Sequence, residues 1–264
     1  MGRDRLIAIG DVHGCAAELD ALLVRLAPTP DDHLVLLGDY VDRGPDARGV
    51  LDRCLELADA AGRTGPACTF LRGNHEQMML DARAEGGRTL ENWLYNGGGA
   101  TLLSYGHADW LPPHKTEAGV RPDDGWADLV PGSHWDFLAS TVHSYDHPDY
   151  LFVHAGIEPG VSVAENLRRR PERFLWERSH LAPGADLDAW EKPVVCGHVK
   201  SDEPVSLPAL VRIDTGAYRP YLTGKPGALT AAVLAGPLQS PRQFVQVQSS
   251  SASVERATQA PLVS

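Results

Sequence analysis

The chain has 264 residues, of which 24 are Lys or Arg and 35 Asp or Glu, for a formal net charge of −11, with 43% hydrophobic and 22% charged residues. That acidity argues against non-specific binding of nucleic acid or an anionic membrane, because both reward a basic surface; the length allows one large domain or two small ones. Four cysteines (Cys15, Cys54, Cys68 and Cys196) without CxxC spacing, and no apolar run of transmembrane length, lead to the expectation of reduced thiols in a cytoplasmic protein.

Residues 5–9 read as a strand. Residues 18–26 place Leu19, Leu22, Leu23 and Leu26 at helical spacing until Pro28 and Pro30 stop the run. A second strand over 33–37, a helix from Pro45 to about Ala61 and a third strand over 67–71 continue the alternation, which predicts a largely parallel, buried sheet. Helical periodicity returns over 75–83, 89–95 and 100–105, interrupted by Asn96-Gly97-Gly98-Gly99. The segment 107–133, rich in Pro and Gly and carrying Trp110 and Trp126, is expected to be an ordered flap near the functional site. A helix over 134–142 and strands over 150–153 and 193–196 follow. The later runs 210–213, 229–234 and 243–247 predict a second, more antiparallel sheet. Residues 1–247 are expected to form a single domain, with 248–264 as a disordered tail.

Five of these apolar runs end in short polar turns. They lead into Gly10-Asp11-Val12-His13-Gly14, Gly38-Asp39-Tyr40-Val41-Asp42-Arg43-Gly44, Arg72-Gly73-Asn74-His75-Glu76, His154-Ala155-Gly156 and Gly197-His198. Open α/β sheets place ligand sites at the carboxyl ends of their strands, and Asp, His and Asn are the O and N ligands of divalent metals. Six such residues exceed the four that close a structural zinc shell. Two metals sharing a carboxylate account for them: Asp11, His13 and Asp39 on the first, and Asp39, Asn74, His154 and His198 on the second. Such a site suits hydrolysis of a phosphate ester, since paired metals about 3.5–4 Å apart lower the pKa of water and clamp the oxygens of an in-line displacement. His75, next to Asn74, is the candidate general acid, with Asp42 holding its tautomer. Arg43 and Arg72 flank the same turns and can fork onto phosphoryl oxygens. Ligand type admits Mn, Fe, Zn, Ni or Co.

With these motifs the sequence resembles the phosphoprotein phosphatase branch of the calcineurin-like metallophosphoesterases, over about residues 5–235. Asn-Gly-Gly at 96–98 and Ile-Asp-Thr-Gly-Ala at 213–217 resemble stretches of its bacterial members. The resemblance implies an α/β/β/α sandwich of two mixed sheets with flanking helices, Mn(II) as the metal, and direct attack by metal-bound hydroxide. It also implies a further phosphate-contacting arginine, for which Arg178 is the candidate and Arg168, Arg169 and Arg170 are alternatives. His13 matches the Ser/Thr protein phosphatases, whereas symmetrical diadenosine tetraphosphatases typically carry Gln there. The chain departs from the family at Val199, where Thr is usual, and in the 107–133 segment. The implied substrate is a phosphoserine or phosphothreonine protein or a small phosphomonoester, with a dinucleoside polyphosphate as the alternative.

Overall fold

The structure is a computed structural model, and it describes residues 5–61, 63–107, 125–234 and 243–250. In chain order β1 (Leu6–Ile9), α1 (Ala16–Leu26), β2 (His33–Leu36), α2 (Ala47–Ala60), β3 (Ala67–Phe70) and α3 (Asn74–Glu85) form the predicted alternation. Helices α4 (Gly87–Trp93) and α5 (Gly99–Ser104) flank a wide turn over Leu94–Gly98, and α6 (Gly132–Ser140) follows. Then come β4 (Ser144–Asp146), β5 (Leu151–Val153), α7 (Val163–Leu167), β6 (Val194–Cys196), β7 (Val205–Leu207), β8 (Leu210–Arg212), β9 (Asp214–Thr215), α8 (Arg219–Thr223), β10 (Ala228–Leu234) and β11 (Gln243–Gln248).

The strands form two mixed sheets. The first has the order β11-β10-β1-β2-β3, with β9 also paired to β10; the second has the order β4-β5-β6-β8-β7. The central strands β1, β2, β5, β6 and β10 are buried on both faces, which is why they are apolar at nearly every position, whereas the edge strands β4, β7 and β11 are partly exposed and carry polar residues. Ile7, Ile9, Leu34 and Leu36 pack toward the helices with Leu19, Leu22, Val50 and Leu51. Their neighbours Ala8, Val35 and Leu37 point the other way and meet Phe152, Val195 and Val211 of the second sheet. Leu151, Val153, Val194 and Cys196 face outward again, under Phe174 and Trp190. The layers are helix, sheet, sheet, and an outer layer of short helical turns, as the resemblance implies.

Local signals set the element ends. The Asp46 carboxylate accepts from Gly49 N at 2.8 Å and caps α2, and Ala27 closes α1 at φ 42° just before Pro28. The amino end of the described chain is tied down by Arg5, whose Nε and Nη2 reach the two oxygens of Asp32 at 2.9 and 2.6 Å.

Two sequence expectations are corrected. Strands β10 and β11 do not build a separate sheet: β10 runs antiparallel beside β1, with Ile9 opposite Ala231, and β11 extends that sheet. The second sheet has a parallel centre, β5-β6-β8, with antiparallel edges. Periodicity identifies a strand but carries no information about which partner it pairs with. The flap expectation also fails for Trp126, which is buried against Trp93 and Trp135 at ring-centroid distances of 4.9 and 5.8 Å and so belongs to the helical core. Trp110 and the rest of 108–124 lie outside the described residues, as do 251–264 of the expected tail. At the start of that tail, Ser249 N donates to Gly227 O.

Candidate metal centre

The polar turns after β1, β2, β3, β5 and β6 converge at one edge of the sandwich. Parallel order within each sheet makes this possible, because it brings consecutive carboxyl ends to the same side. The backbone there is unusual. Six non-glycine residues among those described have positive φ, and five of them are His13 (44°), Asp39 (54°), Asp42 (73°), Arg43 (69°) and His198 (64°). Such conformations cost of order 1–3 kcal/mol each and persist only where the surroundings hold them. Glu76 is one such hold. Its Oε2 accepts from Asp39 N and Gly73 N at 2.7 and 2.8 Å, and its Oε1 from Tyr40 N and Val41 N at 2.8 and 3.2 Å. A single buried carboxylate therefore fixes two motif turns. Burial and the Asp39 charge push its pKa up to about 7 against the pull of those N–H groups.

Asp39 stands between two clusters. His13, Asp39 and His75 form one, and Asp39, His154 and His198 the other; within each, the potential ligand atoms lie within 4.8 Å of one another. His13 Nδ1 donates to Val41 O and His154 Nδ1 to Leu37 O, both at 2.9 Å. Each ring is thereby left with an Nε2 lone pair aimed inward. His13 Nε2 lies 3.3 Å from Asp39 Oδ2, His154 Nε2 3.4 Å from Asp39 Oδ1, and His154 Nε2 and His198 Nδ1 both 2.9 Å from Asn74 Oδ1. Burial lowers the pKa of His13 and His154, and takes His198 down to about 3, so the imidazoles are neutral, which is the form that coordinates a cation. Lone pairs that converge on carboxylate and amide oxygens repel unless a cation lies among them. The donor set therefore fits divalent metal.

Asp11 belongs to neither compact cluster. It is buried beside them, and its two oxygens accept from His198 N at 3.1 and 3.0 Å. Burial raises its pKa well above the usual carboxylate range, and the charges of Asp214 and Asp39 raise it further. Three buried carboxylates this close are costly without positive charge nearby. Gly197 is required for the approach, since a Cβ there would lie 1.9 Å from Asp11 Oδ1.

Within the first cluster, His75 Nδ1 lies 2.6 Å from Asp42 Oδ2, the predicted pairing. Two residues the sequence reading missed complete the network. Trp93 Nε1 donates to both Asp42 oxygens at 3.0 Å, and Thr101 Oγ1 donates to Asp42 Oδ1 at 2.7 Å. The glycines at 97–99 form the seat for these partners: Gly97, at φ 117°, accepts from Arg43 N, and a Cβ at Gly98 would collide with the Trp93 ring.

The arginines divide. Arg43 Nη1 lies 2.6 Å from His13 Nε2, and Arg178 places Nε and Nη2 at 2.9 and 2.7 Å from His198 Nε2. Both line a cleft of about 270 Å³ with Asp39, Asn74 and His198. Arg72 does not reach it. Its guanidinium bonds Thr141 Oγ1, Gln77 Oε1 and the carbonyls of Leu138, Ala139 and Thr141 around the end of α6. The free carbonyls of a helix C-terminus attract a cation strongly enough to take Arg72 away from the expected phosphoryl contact. Arg168 pairs with Glu165 at 2.5 Å and Arg169 with Glu158, away from the cleft, and Arg170 lines a separate hollow.

A calcineurin-like phosphoesterase family profile matches residues 4–222. The chain belongs to this family. Among curated relatives, Serine/threonine-protein phosphatase 1 of Salmonella typhimurium is 45% identical over 102 residues, 38% of this chain and 42% of that protein. A symmetrical bis(5'-nucleosyl)-tetraphosphatase of Dechloromonas aromatica is 42% identical over 171 residues, 64% of this chain and 50% of that protein. The chain thus spans about half the length of the curated relatives it matches. A solved cold-active protein-tyrosine phosphatase of a psychrophile Shewanella sp. superposes with TM-score 0.59 at 20% identity, over 88% of this chain and 76% of that one, and shares the fold.

For a calcineurin-like phosphoesterase, the cleft of this chain has further features that sequence reasoning did not single out. Asp214 is buried beside Asp11 and Asp39, with its pKa raised to about 6 by burial. Lys200, two residues after His198, lines the cleft, and Tyr218 packs edge-on against His13 with ring centroids 4.9 Å apart. The one sequence signal for Asp214 and Tyr218 was the Ile-Asp-Thr-Gly-Ala stretch and the residue after it; Lys200 had none.

Proposed function

We propose that this chain is a dinuclear metal-dependent phosphoester hydrolase acting on phosphoserine or phosphothreonine proteins or small phosphomonoesters. The observation that carries the reading is the placement of Asp39 between two clusters of inward-facing imidazoles, with the His75–Asp42 pair alongside. Two divalent cations held there, Mn(II) by family resemblance, would acidify water and draw charge from phosphoryl oxygens. Asp39 would bridge them, with His13 and Asp11 on one side and Asn74, His154 and His198 on the other. Asp42 fixes His75 with Nδ1 protonated, so its Nε2 can carry a proton toward the leaving oxygen. Arg43, against His13, and Arg178, against His198, would orient the phosphoryl group and offset its charge. Burial of the carboxylates and histidines keeps bulk water from screening these charges.

The test combines chelation with substitution. Turnover of p-nitrophenyl phosphate should vanish with chelator and return with Mn(II), and Asp39→Asn should lose bound metal and activity together. An Asp39→Asn protein that retains two equivalents of metal would contradict the bridging role.

A second reading, hydrolysis of dinucleoside polyphosphates, is favoured by the relatives that carry the tetraphosphatase name and by Trp176, about half exposed at the cleft mouth, which offers a face to a base. Comparing kcat/KM for a phosphothreonine peptide and for diadenosine tetraphosphate separates the two; preference for the peptide upholds the first and preference for the dinucleotide the second.

A further inference from the structure

Three cations border the cleft: Arg43, Arg178 and Lys200. Among the described residues none of them has a carboxylate oxygen within ion-pair distance. They stand beside the buried carboxylates of Asp39, Asp11 and Asp214, the last of which feels the charges of both Lys200 and Arg43, but their own head groups are left without a direct carboxylate partner. Arg43 and Arg178 each touch a histidine of the candidate metal clusters, so both sit over the place of the phosphoryl group to be cleaved. Lys200 touches neither cluster.

What holds Lys200 is Tyr218. Its Nζ donates to Tyr218 Oη at 2.6 Å and lies 5.2 Å from the ring centroid. The same ring carries the Arg43 guanidinium carbon 4.8 Å from its centroid. Tyr218 is 4% exposed, so the ring is a fixed platform that sets Arg43 and Lys200 at a constant separation. The backbone contributes as well: His198 at φ 64° and the Val199 N to Gly197 O bond form a tight turn that leads from the cluster to Lys200. The nearby acid Asp202 is drawn off by Arg219 at 2.8 Å. The cleft, about 270 Å³, has the volume of roughly nine waters at ~30 Å³ each, more than one phosphoryl group fills.

We propose that Lys200, held by Tyr218, receives a second phosphate of the same substrate molecule, so that the cleft selects phosphoesters carrying another phosphoryl group near the one cleaved. This rests on the reading of the site as a phosphoester hydrolase. A lysine suits the task because it serves as a point charge for phosphate without demanding bidentate geometry.

The test uses the full chain with Mn(II) supplied. The kcat/KM ratio of propane-1,3-diol bisphosphate to its monophosphate should exceed one in the wild type, and should fall about tenfold in Lys200→Met, the scale of one charge-assisted contact. Tyr218→Phe, which loses the hydroxyl and keeps the ring, should give an intermediate ratio. Calorimetric binding of methylenediphosphonate against methylphosphonate, neither of which is a phosphoester, should show the same Lys200-dependent gap. An unchanged substrate ratio or phosphonate gap in Lys200→Met overturns the proposal. So does an equal gain from a carboxylate placed at the same spacing. If no phosphoester is turned over, the hydrolase reading fails, while the phosphonate comparison still decides the role of Lys200.

Discussion

Replacing Glu76 by Gln tests the idea that one buried carboxylate holds the strained turns of the candidate metal centre. Glu76 is fully buried, and each of its oxygens accepts two backbone N–H groups. Gln preserves the shape but keeps one acceptor oxygen, and its NH2 group faces the other two donors. Two buried N–H groups are then unsatisfied at ~1–3 kcal/mol each, and the two retained bonds lose about 1 kcal/mol each of charge assistance. Relief of burying the Glu76 charge offsets part of this, leaving a net loss of about 3–5 kcal/mol, a large fraction of the ~5–15 kcal/mol that a typical domain has. Because Asp39 N and Gly73 N share Oε2, the loss also releases Asp39 from φ 54°, and metal affinity should fall with stability. Urea denaturation at pH 8, above the raised Glu76 value, with chelator and with Mn(II) measures both, at unchanged m-value. A loss below about 1 kcal/mol, with metal binding intact, would show that Glu76 does not set these turns.

Further expectations follow from the same geometry. His75→Asn should lower turnover of alkyl phosphates far more than of p-nitrophenyl phosphate, whose leaving phenolate needs little protonation; equal losses would remove His75 as the acid. Gly97→Ala places a Cβ 2.8 Å from Arg43 Cγ at φ 117°, so KM should rise and stability fall by about 1–3 kcal/mol; unaltered kinetics would mean that Arg43 is not seated by this turn. The Arg5 guanidinium bonded to Asp32 holds its carboxyl well below the usual range. A depressed folded pKa adds stability that is present above about pH 4 and is lost as the pH falls toward the folded value. The stability difference between pH 5 and pH 2.5 in urea titrations should therefore shrink in Asp32→Asn, and an equal difference in both proteins would refute the assignment.

Much of the site was legible because its chemistry is written in local motifs. A strand followed by Gly-Asp or Gly-Asn-His constrains the side chain to the carboxyl end of that strand, whatever the strand pairs with. Asp39, His13, Asn74, His154 and His198 are each placed by the turn after their own strand; the pairing of Asp42 with His75, 33 residues apart, additionally needs β2 and β3 to lie side by side in parallel. Helix boundaries were accessible for the same reason, since Asp46, Pro28 and the glycines at 97–99 act on their neighbours in sequence.

The partners from other elements were not legible. Trp93 and Thr101 reach Asp42 only because α4 and α5 fold back over the turn after β2, and Tyr218 meets His13 across more than 200 residues of chain. Arg72 looked like a phosphate ligand from its neighbours, yet the carbonyls at the end of α6 claim it. Strand pairing was decided in the same way: β10 reads as a strand from its own residues, but its place beside β1 depends on which apolar face it covers. Sequence by itself determined which residue types stand at the ends of the strands, because turn chemistry and periodicity act over a few residues. Tertiary structure decided which cations face the cleft, because a guanidinium or ammonium goes to the strongest acceptors that the folded chain brings within its reach.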